Sequence, residues 1–220
     1  MLDTLISAIA PHLCSSCGRI GALLCDNCKY DIVSEPIEQC MACDGPSGVR
    51  GICEKCDVPY RRAWCVGRRE DVLRKLIDEY KFENAYAAHR VLADLLSQRI
   101  GQLPSDVTVV AVPSIASHIR QRGYDHATLV AKQLARLQQV TYAPILRRKT
   151  ATMQRGASKT QRIRQAKEAF EVRGQLDGGI YLLVDDIVTT GATVKYAAQA
   201  LCDAGAAEVW VAVLARQTLD

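Results

Sequence analysis

The chain has 220 residues, 49% of them hydrophobic and 24% charged, with a formal net charge of +4 and ten cysteines. That length holds one α/β domain and a small extra module, and the apolar content supports a packed core. The longest apolar runs are too short to span a bilayer, and the opening MLDTLISAIAPHLC has no basic residue before its apolar part. Neither a transmembrane segment nor a signal peptide is therefore expected.

A cytoplasmic location is the matching expectation, because cysteines stay reduced there and CxxC pairs then signal metal before disulfide. The charge is uneven. From His118 to Lys167 there are twelve Lys and Arg residues against one acid, Asp125, so this segment carries +11 and the rest of the chain −7. Positive charge is gathered where a polyanion could meet it.

In chain order, residues 2–10 read as a short amphipathic helix or turn with Leu2, Leu5, Ile6 and Ile9 on one side. Four CxxC pairs follow: Cys14/Cys17, Cys25/Cys28, Cys40/Cys43 and Cys53/Cys56. Eight thiolates suit two tetrahedral Zn²⁺ sites with no open position, which is a structural rather than a catalytic arrangement. Gly18 and Gly45 fall where the tight turn of a zinc knuckle needs a small residue. The segment is too short to fold on its own core, so metal would supply much of its folding free energy. Disulfides, or one zinc with redox-active remaining cysteines, are the alternatives, and the spacing does not say whether adjacent or alternating pairs share an ion. Two zinc ions on eight thiolates would bring the formal charge from +4 to 0. Cys65 and Cys202 read as buried thiols.

Pro59 to Trp64 reads as a boundary, dividing a double zinc ribbon over 10–60 from a second domain over 61–220. Leu73, Leu76, Ile77 and Tyr80, then Val91, Leu92, Leu95 and Leu96, lie at helical spacing and predict two amphipathic helices over 70–81 and 86–100. His89, with no companion ligand near it in sequence, reads as a solvated or interhelix residue. Asp106 to Val112 predicts a strand, followed by a loop carrying Arg120, Arg122, Gly123, Tyr124, Asp125 and His126, then a helix through Leu129, Val130, Leu134 and Leu137. Pro144 to Lys149 suggests a short strand. The polar, basic stretch from Thr150 to Lys167 reads as a cover that orders over an anion or as a disordered connector. Ile180 to Val184 and Glu208 to Leu214 predict two further strands, separated by a helix that Gly205 ends.

The stretch Tyr181 to Thr193, YLLVDDIVTTGAT, carries the chemistry. An apolar run suited to a buried parallel strand meets Asp185 and Asp186, and Thr189, Thr190, Gly191, Ala192 and Thr193 lead into a helix. The free N–H groups and dipole at such a helix start suit a phosphate monoester. The carboxylates would repel that phosphate, so they need hydroxyls or a cation instead. A sugar phosphate meets both demands.

These residues resemble the 5-phosphoribosyl 1-pyrophosphate (PRPP) motif of type I phosphoribosyltransferases. The resemblance implies that residues 189–193 hold the 5-phosphate and that Asp185 and Asp186 hold the ribose hydroxyls. It implies a pyrophosphate cradle at Ser114 to Gly123, with Arg120 and Arg122 adding charge, and a Mg²⁺ ion bridging pyrophosphate and ribose. The zinc module, the 113–126 loop and the acidic motif in this order resemble the ComF/GntX family, which joins a double zinc ribbon to a phosphoribosyltransferase-like domain. The implied fold is α/β, an open parallel sheet flanked by helices, with the cysteine-rich ribbon N-terminal. Gln154 and Arg162 fit that family's basic loop, and Lys159 and Arg162 would also meet pyrophosphate.

Many members read Arg-Gly-Phe-Asn-Gln where this chain has Arg122-Gly123-Tyr124-Asp125-His126, a change expected to alter what the site accepts. The implied activity is transfer of phosphoribosyl to an unnamed acceptor, with a link to DNA uptake in natural competence. The alternative is a protein without turnover that binds single-stranded DNA and meets competence-machinery proteins. Against it, the basic segment offers only Tyr124 and Tyr142 for base stacking.

Overall fold

The computed structural model describes residues 12–35, 37–82, 86–149 and 169–217. The predicted helix or turn over 2–10 and the whole basic stretch 150–167 lie outside them. After a short helix α1 (Asp26–Ser34), the chain forms β1 (Arg62–Arg68), α2 (Asp71–Phe82), α3 (Ala88–Ile100) and β2 (Val107–Ala111). Then come α4 (Ala116–Arg122), α5 (His126–Gln138), β3 (Thr141–Tyr142), β4 (Leu146–Arg148), β5 (Phe170–Val172), β6 (Ile180–Val188), α6 (Ala192–Asp203) and β7 (Glu208–Arg216).

Five strands form one parallel sheet in the order β1-β7-β6-β2-β3, and β4 pairs antiparallel with β5 beside it. The central strands are apolar on both faces because both are covered. Leu182, Val184, Trp210, Ala212 and Leu214 face one core with α2, α3 and α5. Leu183, Val209, Val211 and Val213 face another with α6, Leu146 and Phe170.

The ribbons straddle this sheet. Leu24, Cys14 and Cys28 of the first belong to the α2–α3–α5 core, and Met41 with Tyr60 of the second belongs to the α6 core. Arg99 of α3 donates to the carbonyls of Glu35 and Val66, both at 2.7 Å, and Lys29 pairs with Asp94 at 2.9 Å. On the other side Arg216, at the end of β7 and 5% exposed, donates to the Cys40 and Met41 carbonyls at 3.0 and 2.6 Å. Its Nε meets the Asp44 carboxylate at 2.5 Å.

Three differences from the sequence reading have local causes. The boundary at Pro59 to Trp64 runs straight into β1, an edge strand too short and too mixed in polarity to show a period. The loop before Gly123 contains the two-turn helix α4, whose polar sequence ASHIRQR carries no apolar stripe. The strand before the acids does not stop at Val184; it continues through both of them to Val188.

Gly51 fixes how the second ribbon meets the sheet. Its carbonyl accepts from Met41 N at 2.9 Å, its φ is +68°, and a Cβ built on it would sit 2.0 Å from the Ala63 carbonyl oxygen of β1. Gly51→Ala should therefore lower stability by about 2 kcal/mol or more in urea unfolding. Gly48→Ala, with open space around its Cβ position, should stay within about 0.5 kcal/mol of the parent.

Candidate functional site

The two cysteine sets come together by adjacent pairs. The sulfurs of Cys14, Cys17, Cys25 and Cys28 lie within 4.8 Å of one another, and so do those of Cys40, Cys43, Cys53 and Cys56. Both sets fit a four-thiolate tetrahedral site, and the pair of them fits a double zinc ribbon. The turns that make them are alike. Gly18 N donates to Cys14 O at 2.9 Å and Asp44 N to Cys40 O at 3.1 Å. Gly18 takes the left-handed conformation in the first knuckle, but in the second Asp44 does so rather than Gly45. A non-glycine residue is tolerated there with its carboxylate held by Arg216.

Burial alone would raise the Cys14 and Cys40 thiols. Backbone N–H groups, including Cys25 N to Cys14 Sγ and Ala42 N to Cys40 Sγ at 3.4 Å each, outweigh it and lower both to about 6. A thiol so lowered is ready to bind metal as thiolate. Cys65 is buried, as expected, and burial pushes it up to about 11.

The second centre lies where the sheet order reverses. From β2 the chain moves outward to β3 and from β6 it moves the other way to β7, so a crevice opens beyond the C-terminal ends of β2 and β6. Pairing between β2 and β6 ends at Ala111 and Val184, but β6 stays paired to β7 as far as Val188. Asp185 and Asp186 lie on that overrun, one edge of which β2 leaves open. Side chains alternate along a strand, so the two acids point to opposite faces.

Asp186 pairs with one cation, and Asp185 feels the charge of another. Lys81, at the end of α2, places Nζ 2.6 Å from Asp186 Oδ2. Arg148 of β4 lies on the Asp185 side, donating from Nε to the Pro113 carbonyl at 3.3 Å with its guanidinium over the Phe170 ring. Asp185 Oδ1 accepts from Asp186 N at 2.8 Å, and Asp186 Oδ1 from Ile187 N at 2.6 Å. Burial, then the neighbouring Asp186 carboxylate, pushes the Asp185 carboxyl up to about 8, against the pull of Lys81 and Arg148. Sequence reasoning gave neither cation a place in the site. Lys81 read only as the polar end of an amphipathic helix, and Arg148 as the end of a short strand.

Beyond β6, Thr189 and Thr190 are exposed and Gly191 caps α6 in the left-handed conformation, φ +72°. Ala192 and Thr193 open the helix, exposed, with Ala192 N 3.4 Å from Thr190 Oγ1. The loop is not isolated. The Met41 carbonyl of the second ribbon lies 3.6 Å from the Cβ position of Gly191, and Lys195 reaches the Asp57 carbonyl at 3.4 Å. A cleft of about 400 Å³ separates Lys55, Cys56 and Asp57 of the ribbon from Thr190, Gly191 and Lys195.

The other predicted site residues scatter. Ser114 Oγ donates to Asp125 Oδ1 at 2.8 Å, and Asp125 also caps α5 by accepting from Thr128 N. Arg120 is exposed on α4, and Arg122 is the last residue of that helix. Lys159 and Arg162 lie outside the described residues. Tyr124 Oη and His126 Nε2 meet the Tyr80 carbonyl at 2.7 and 3.0 Å, so the Tyr-Asp-His variation builds the wall behind the crevice and its imidazole is buried there. His89 is buried against the Tyr86 carbonyl.

A family model described as phosphoribosyl transferase domain matches residues 81–218. The chain is 31% identical to competence protein F of Haemophilus influenzae, over 88% of its own length and 90% of that protein. It is 31% identical to DNA utilization protein YhgH of Salmonella typhi, over 94% of its length and 97% of the relative. Competence protein ComFC of Bacillus subtilis is 24% identical over 84% of this chain and 80% of the relative.

Zinc content tests the ribbon geometry. The purified chain should carry about two zinc ions by atomic emission, and Cys43→Ser with Cys56→Ser should leave about one. Loss of both ions from that variant would contradict two separate sites.

Proposed function

The chain belongs to the phosphoribosyl transferase domain family, alongside competence protein F and ComFC, and on that premise we propose that it binds PRPP in the crevice beyond β2 and β6 and transfers the phosphoribosyl group to an acceptor. The overrun of β6 carries this reading. It sets two acids at the mouth of the crevice, one strand end away from the exposed start of α6. Residues 189–193 would take the 5-phosphate through backbone N–H groups and threonine hydroxyls. Asp185 and Asp186 would accept from the ribose hydroxyls and favour positive character at C1.

In the transfer, an electron pair on the acceptor forms a bond to C1 as the bond from C1 to the pyrophosphate oxygen breaks. Pyrophosphate leaves with the bonding pair, and the acceptor gives up a proton. Arg120, Arg122, Lys159 and Arg162 would stabilise the leaving charge. A nitrogen base, ammonia or a group on a nucleic acid would serve as acceptor. The donor set does not fit a magnesium ion held directly by the acids, because Lys81 and two backbone N–H groups already engage three of their four oxygens.

Calorimetric titration with PRPP tests the assignment. The parent chain should bind saturably, and Asp185→Asn with Asp186→Asn should lose at least tenfold in affinity with zinc content unchanged. Equal affinity in the two would refute the ribose contacts.

The names of the relatives support a second reading, in which the chain holds single-stranded DNA, meets other competence proteins and uses the PRPP site for regulation. The +11 segment between His118 and Lys167 is its physical basis. Binding of an oligothymidylate should then weaken at least tenfold between about 50 and 200 mM salt, as phosphate contacts release counterions. An affinity insensitive to salt would rule that basis out. Both readings suit a cytoplasmic protein with reduced thiols.

A further inference from the structure

Among the described residues, Lys81 is the one cation whose ammonium reaches the acidic pair. Its side chain is 11% exposed, and its position is not left to chance. The preceding residue, Tyr80, is fully buried. Its carbonyl receives both Tyr124 Oη and His126 Nε2, and its own hydroxyl donates to the His126 carbonyl at 3.0 Å. Three hydrogen bonds thus clamp the end of α2 to the start of α5 and aim Lys81 at β6.

The acids are correspondingly committed. Asp186 has one oxygen on Ile187 N and the other on Lys81 Nζ, and Asp185 has one on Asp186 N. A magnesium or manganese ion needs close, near-octahedral oxygen ligands, and an ammonium on the same oxygen opposes it by charge and by volume.

We infer that Lys81 is the resident counter-ion of the acidic pair: it occupies the place of a directly bound divalent cation, and it turns its remaining N–H groups to the phosphate-bearing side of a sugar phosphate whose hydroxyl takes Asp186 Oδ2. An ammonium has three donors, so it can bridge carboxylate and ligand at once. This rests on the reading of Asp185 and Asp186 as ribose contacts, and it makes Lys81 a positioning and charge-compensating residue for that site.

Manganese alone, followed by electron paramagnetic resonance on the full zinc-loaded chain, tests the inference without PRPP. The parent should show no saturable site at millimolar Mn²⁺. Lys81→Met should gain one, at least tenfold tighter, Lys81→Arg should not, and Lys81→Met combined with Asp186→Asn should lose it again. A saturable Mn²⁺ site in the parent that Asp186→Asn abolishes would overturn the inference, even if Lys81→Met failed to fold. So would a folded Lys81→Met chain that binds no Mn²⁺. Absence of PRPP binding would instead refute the proposed transferase, and the manganese result would still stand on its own.

Discussion

Everything at the crevice depends on one mismatch of strand lengths. β6 is paired on both edges through Val184 and then on one edge only, because β2 ends while β7 goes on. A strand held on one side keeps its extended backbone, so Asp185 and Asp186 are presented by a rigid element. The open edge leaves room for a ligand above β2. Had β2 been longer, its backbone would cover the acids; had β7 been shorter, they would sit on an unsupported loop. The same ladder carries Arg216 opposite Val188, and from there the guanidinium takes hold of the second ribbon. Strand register therefore sets both the mouth of the crevice and the seat of a metal module.

The ribbons do not sit at the end of the chain as a detached appendage. One is bound into the core on each face of the sheet, and the second brings a backbone carbonyl up to the glycine that starts α6. Guanidinium groups do this docking on both sides. Half-buried Arg99 meets the Ile32, Glu35 and Val66 carbonyls, and buried Arg216 meets those of Cys40 and Met41, where loss of the donor leaves buried acceptors unsatisfied. The two four-cysteine sets fit zinc, whose binding would order the ribbon carbonyls among these.

Much of this was legible in the sequence because it is written in short periods and short spacings. The four CxxC pairs, the YLLVDDIVTTGAT run and the apolar stripes of α2, α3 and α5 each carry their signal within a dozen or so residues. What was not legible depends on partners far along the chain. β1 is a strand because β7 lies next to it, not because of its own pattern. The pairing of adjacent cysteine pairs follows from the chain folding back within each ribbon, where Ser15 N donates to Leu23 O and Met41 N to Gly51 O. Lys81 could not be connected to Asp186 from a helical stripe that explained only its apolar neighbours. Tyr124 and His126, which seemed to alter the ligand side of a loop, turn inward to a carbonyl on another helix.

The edge position of β1 also bears on how the molecule comes into being during synthesis. Among the described residues its only neighbour in the sheet is β7, with Arg62 opposite Trp210 and Arg68 opposite Arg216. The ribbons and β1 leave the ribosome well before the strand that receives them. Contacts between such distant positions close late. The nascent cysteine-rich module must order while its apolar side chains still lack the sheet that will cover them, and a chain that stops before residue 208 leaves β1 without the strand it pairs with.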